Sequence, residues 1–325
     1  MRRPFILLIL GVLTSCAPPS IEEEPRTGPY LGEDLPGAEA RLFAPGFVST
    51  GLSERDVTMT PDGSELYFSA QVGERGNFTA IVFTRQVDGV WTRPEVAPFS
   101  GQYLDIEPHV SPDGSKLFFA SNRGGNMDIW VVDRVGDGWG APRNIGPPVN
   151  TEGDEFFPSV TRDGTIYYTG PDENGAEVIY RARPAGDGEG YAKPEQLPEQ
   201  VNSGQLRFNA FVSPDESFLI VPMYGREDSL GGVDYYVVFR SDDDIWTEPI
   251  SLGAAVNSAT GNEWSASLSP DGKVLFFMAS RSEIEDHRAP APMGYAAMRE
   301  LHDSPMNGNS DIWWIDAGVI DALRP

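Results

Sequence analysis

The chain has a single cysteine, Cys16, among 325 residues. That excludes an intramolecular disulfide and any paired-cysteine metal or redox site. Lysine is confined to Lys116, Lys193 and Lys273, and 24 basic residues face 49 acidic ones, for a net charge of −25. Such a balance excludes nucleic acid as a partner and docking on an anionic membrane surface, and leaves room for cationic partners and divalent metals. There is no Gly-x-Ser-x-Gly, no phosphate-binding glycine loop and no His-Glu-x-x-His, so no motif specifies a reaction and no cofactor is expected. Apolar runs are short. The longest early one, Phe5 to Leu13, follows Arg2 and Arg3 and is too short to span a bilayer.

What is present is a repeat. Between Glu107 and Trp139 the chain reads E-P-H-V-S-P-D-G-S-K-L-F-F-A-S-N-R-G-G-N-M-D-I-W-V-V-D-R, followed by W-x-x-P. Pro112-Asp113-Gly114 is a tight turn: proline presets φ, aspartate bonds its own backbone and glycine accepts φ > 0. Aromatic and β-branched runs on either side predict strands, four to a unit. The turn returns at Pro61-Asp62-Gly63, Arg162-Asp163-Gly164, Pro214-Asp215-Glu216 and Pro270-Asp271-Gly272, and the five turn aspartates are 51, 50, 52 and 56 residues apart. A period of this length, four short strands per unit, predicts an all-β, five-bladed β-propeller. The last unit has no fourth strand of its own. Arg41 to Thr50 matches the outer-strand stretch Arg143 to Thr151, so the N-terminal segment is expected to close the last blade and cover its edge.

The expected organisation is a signal peptide at 1–15, a Pro- and Glu-rich flexible tether at 16–40, and the propeller at 41–325. The last unit carries an insertion at about 282–309: its turn Asp271 lies 40 residues before Asp311, against 15 between Asp113 and Asp128. Within it a short helix is expected from Gly294 to His302. A long loop on a regular scaffold is where binding is commonly carried, which makes His287, Tyr295, Arg299 and His302 candidate contacts.

Propeller topology puts this insertion on the same face as the segments that enter the inner strands, opposite the Pro-Asp-Gly turns. Those segments hold Glu54 and Asp56, Asp105 and Glu107, Asp154 and Glu155, Arg207 and Asn209, and Asn262, Glu263 and Trp264. Strand alternation places His109 with Glu107. Three readings of this acidic ring stand side by side. Converging oxygens would suit Ca²⁺; a carboxylate pair would suit glycoside hydrolysis; or the acids fasten blade to blade. His109, His287 and His302 are the only histidines, and together they would make a zinc site, although no spacing motif supports one.

The Ser-Pro-Asp-Gly-x-x-Leu-Phe-Phe-x-Ser-x-Arg and Asp-Ile-Trp elements resemble the TolB-like, Pro-Asp type, WD-like β-propeller repeat family, over about residues 41 to 318. The resemblance implies a binding or scaffold module of the bacterial envelope and carries no catalytic residues. No α/β domain of the TolB kind is read at the N-terminus, so the Tol partnership does not carry over. Leu13-Thr14-Ser15-Cys16 resembles a lipoprotein signal, with Cys16 lipidated, and Ala17 after it implies outer-membrane sorting. The expectation is a monomeric, lipid-anchored propeller, at the periplasmic or outer surface, that binds an envelope protein or glycan. The alternative is a hydrolase or lyase acting on carbohydrate with the ring-entrance carboxylates.

Overall fold

A computed structural model describes residues 25–325 apart from 74–76, 187–189, 260, 285–287 and 290. Five antiparallel sheets succeed one another along the chain, one per repeat. The first blade holds Ser53–Met59, Glu65–Val72 and Phe78–Val87 with short outer pairs, and the second Asp105–Val110, Lys116–Ser121 and Asp128–Val135. The third holds Phe156–Val160, Ile166–Pro171, Glu177–Ala182 and Glu195–Gln196. In the fourth, Phe211–Val212 leads to Phe218–Tyr224, Val233–Phe239 and Ile250–Ser251. The fifth holds Ala266–Leu268, Val274–Ser282 and Asn307–Asp316, and Arg41–Leu42 completes it, pairing Arg41 with Trp314 and Leu42 with Trp313. The five-bladed architecture and its N-terminal closure are therefore as the repeats imply.

The core is a set of layers between blades, because alternate residues of each second strand face opposite neighbours. Leu117 and Phe119 pack with Tyr67 and Ile81 of the first blade, while Phe118 packs with Ile166 and Tyr168 of the third. The closing layer joins Phe43 to Phe276 and Trp314, with Phe43 and Trp314 ring centroids 4.9 Å apart. Polar ties cross the same seams: Arg134 of the second blade binds both oxygens of Glu65 in the first, at 2.7 and 2.9 Å.

The segment read as a tether is only partly one. Within 26–33, Tyr30 and Leu31 are buried against Phe43, Phe276 and Trp314. The Trp91 indole donates to Gly28 O at 2.8 Å and the Tyr30 hydroxyl to Asp271 at 2.6 Å. Two apolar side chains in a proline- and acid-rich stretch were enough to anchor it, and composition alone hides them. Residues 1–24, Cys16 included, lie outside the described residues.

The inner strands are not regular. Asp56, Glu107, Phe157 and Asn209 have φ of 62°, 62°, 48° and 50°, and strand register slips at each of the first three, between Arg55 and Thr58, Ile106 and His109, Phe156 and Ser159. Each is a bulge with a non-glycine residue in the left-handed region, a strain that surrounding contacts must hold in place.

Candidate functional site

The bulges aim four polar side chains and one backbone amide at the propeller axis, on the insertion face. Arg55 Nε binds Asp56 Oδ1 at 2.8 Å and its Nη2 binds Glu107 Oε1 at 3.0 Å. Glu107 also accepts from the Phe157 amide at 2.7 Å and from Asn209 Nδ2 at 3.2 Å. Ser265 donates to Asp56. All five blades thus meet in one buried network. Trp264, 40% exposed, lies over it, with the Arg55 guanidinium 5.8 Å from its ring and Phe208 edge-on at 6.0 Å. Burial raises the Glu107 carboxyl to about 7, against the pull of Arg55. With three donors on its two oxygens, Glu107 fastens blades one, two, three and four.

The other ring-entrance acids pin the strand-linking segments. Glu155 accepts from the Thr151 amide at 3.0 Å and hydroxyl at 2.5 Å, and Glu54 takes the same two donors from Thr50. Glu263 accepts from Ser258 Oγ at 2.9 Å, and Asp154 from the Met127 amide of the neighbouring blade at 2.9 Å. In the fourth blade Arg207 takes this place, its Nε buried without a partner among the described residues. Glu155 also borders a cavity of about 270 Å³ with Tyr168, Tyr180 and Lys193, but both its oxygens are held by Thr151.

Across three seams the entrance glutamate meets an aspartate of the third strand of the blade before it. Burial, reinforced by Asp311, raises Glu54 to about 7, and burial raises Asp311 likewise to about 7. Burial, with the charge of Asp234 nearby, raises Glu263 to about 7. Glu155 and Asp128 are raised in the same sense, again chiefly by burial. Among the described residues, Asp311 Oδ1, Asp234 Oδ1 and Glu263 Oε2 have no hydrogen-bond partner.

The candidate contacts of the insertion divide. Tyr295–His302 is a helix with no buried residue, and Tyr295, Arg299 and His302 lie on it. Tyr295 is 77% and Met298 56% exposed. His287 lies outside the described residues. His109 does not join its candidate partners: the bulge at Glu107 reverses the alternation beyond it, and His109 turns to the opposite mouth. The geometry therefore separates His109 from His302, and among the described residues no group of three or more potential ligands is placed to hold a metal.

That opposite mouth, on the Pro-Asp-Gly face, holds a cavity of about 400 Å³. His109 and Phe211 sit at its base, 6.5 Å between ring centroids, and Pro61, Pro112, Arg162, Pro214 and Pro270 of the five turns form its rim. The signal for it was present in the repeat. Two residues beyond Asp56, Glu107, Phe157 and Asn209, and at the matching place in the fifth blade, the chain reads Thr58, His109, Ser159, Phe211 and Ser267, so His109 and Phe211 break a run of hydroxyls.

No family model and no curated protein matches the chain. Solved structures of similar shape include TolB from Acinetobacter baumannii, at 17% identity and a TM-score of 0.47, covering 81% of this chain and 57% of that one. The chain thus spans little more than half of that TolB. Others are an arabinanase from Bacillus subtilis (12%, 0.46, 81% and 93%) and an α-L-arabinofuranosidase from Podospora anserina (11%, 0.46, 87% and 98%). At these identities and scores they bear on neither ligand nor activity.

Proposed function

We propose that this chain is a lipid-anchored envelope propeller that binds a protein partner through its insertion face and catalyses no reaction there. The observation that carries this reading is the exposed helix Tyr295–His302. An eight-residue helix that buries nothing is marginal in water by itself, yet this one is held at its end by Asn307, which donates to His302 O at 2.9 Å, and it presents Tyr295 and Met298 outward. Exposed aromatic and methionine side chains on a fixed support are the residue types that anchor protein interfaces. The ring-entrance acids give the hydrolase reading less support. Of the ring-entrance acids, Glu107 is tied to Arg55, Phe157 and Asn209, and Glu155 and Glu54 to their threonines, so these three are engaged and do not form an open pair flanking a substrate.

Anchoring through Cys16 and an outer-membrane location belong to the same proposal. Palmitate labelling of the wild type, lost in Cys16→Ser, tests the anchor. A photo-crosslinking residue at position 295, used in intact cells, tests the surface. One discrete crosslinked protein, abolished by Met298→Asp, is the expected result. Crosslinks no more specific than those from an exposed site such as Asp242 would refute the surface. Release of reducing sugar from envelope glycans, lost in Glu107→Gln, would restore the hydrolase reading.

A further inference from the structure

We propose that the cavity on the turn face is a binding site for a small ligand with an apolar body and a carboxylate head. At three seams a side chain of one blade closes the inner edge of the next. Thr58 Oγ1 accepts the Val110 amide at 3.1 Å and Ser159 Oγ accepts the Val212 amide at 3.0 Å, each from the next blade. His109 performs the same task with Nε2, accepting the Val160 amide at 3.0 Å. An amide N–H can only donate, so Nε2 carries no proton and the imidazole proton sits on Nδ1. Burial holds the ring neutral, lowering it to about 4. No acceptor for the Nδ1–H is found among the described residues.

The next position in the series is Phe211, which has no atom to offer the following amide, that of Leu268. The base of the cavity therefore offers the His109 Nδ1–H beside a phenyl ring, and by the same series the Leu268 amide, which receives no such side-chain cap among the described residues, as a second donor. Its walls are apolar, from Val110, Val212, Leu268 and the turn prolines. At the rim the third blade replaces proline by Arg162, exposed and without an ion-pair partner among the described residues. The other rim charges are engaged: Arg324 lies 3.5 Å from Asp321, Asp271 binds Tyr30, Ser269 and Lys273, and Asp215 binds Ser217. A pocket of about 400 Å³ lies within the ordinary range for small-molecule sites, which are mainly apolar with a few convergent polar groups. Unpaired donors at the base and one free guanidinium at the rim select a group that only accepts, and that bears negative charge.

The probe is 3-phenylpropionate on the full mature protein, followed by calorimetry, with 3-phenylpropanol as the neutral counterpart of the same body. Saturable one-site binding of the acid is expected, weaker for the alcohol. His109→Thr copies Thr58, so it keeps an acceptor for the Val160 amide while removing the imidazole with its Nδ1–H. It should still unfold cooperatively and should weaken binding about tenfold, the effect of one hydrogen bond to a charged group. Phe211→Ser, which caps the Leu268 amide as Ser159 caps Val212, should weaken binding as well, and Arg162→Gln should do so most at low salt. Absence of saturable binding, equal affinity for the alcohol, or unchanged affinity in both His109→Thr and Phe211→Ser would overturn the proposal. None of these results touches the reading of the insertion face.

Discussion

Raising the pH from 5 to 8 should destabilise this protein, and the seams between blades set the size of the effect. Glu54 and Glu263 are buried and raised from an ordinary value of 4.5 to about 7, and Asp311 from 3.8 to about 7. In the folded chain these carboxyls hold protons that the unfolded chain has released. Their contribution is therefore fully present below about pH 4.5 and is lost as pH rises through about 7, since stability falls with pH wherever the folded state binds more protons. At 1.36 kcal/mol per pH unit, a rise from 4.5 to about 7 corresponds to about 3 kcal/mol for a glutamate. Glu54 and Asp311 act on each other, so they count as roughly one proton, not two. The two seams together then cost about 4–6 kcal/mol between pH 5 and 8; Glu107, raised to about 7, adds in the same sense, and His109, neutral in the folded chain, works the other way up to its unfolded value of 6.5. Urea midpoints at pH 5, 6, 7 and 8 read this directly, with the slope m as the check that the transition is unchanged. Glu263→Gln, which keeps a carbonyl for Ser258, should reduce the decline by about 2–3 kcal/mol, whereas the Glu54 seam should lose its share only in Glu54→Gln with Asp311→Asn, because buried Asp311 alone still holds the proton. A urea midpoint that is flat or rises over this range would refute the reasoning.

Glu107→Ala strips the buried Arg55 of one of its two carboxylates and should cost about 3–5 kcal/mol in urea unfolding; a change below about 1 kcal/mol would show that Glu107 fastens nothing. Phe43→Ala opens the closing layer against Phe276 and Trp314 and should cost about 3–5 kcal/mol, with proteolytic cleavage appearing first near the fifth blade. Leu31→Ala should cost about 2–5 kcal/mol if residues 26–33 pack as described, whereas a true tether would show no change in the melt. Tyr295→Ala and Met298→Ala, both on exposed surface, should stay within about 0.5 kcal/mol of the wild type while losing the crosslinked partner.

Much of this molecule was readable before any coordinate. The turn aspartates at 62, 113, 163, 215 and 271 recur because each blade needs the same φ > 0 turn, and local chemistry of that kind is carried by neighbouring residues. The match between Arg41–Thr50 and Arg143–Thr151 disclosed the closure, because a sheet edge must be paired and the repeat showed which strand was missing. The helix at Tyr295–His302 was legible for the same local reason. The direction of side chains at the axis was not. Alternation predicts that His109 shares a face with Glu107, and one extra residue at the bulge inverts every position beyond it. Nothing in Glu-Pro-His announces that slip. The left-handed backbone at Glu107 is held by groups from other blades, the Ser69 hydroxyl on its amide and Arg55, Phe157 and Asn209 on its carboxylate. Sequence by itself determined how many blades there are and how the ring shuts; tertiary contacts decided which acids are fasteners and which mouth of the ring is open, because both depend on partners some 40 to 100 residues away.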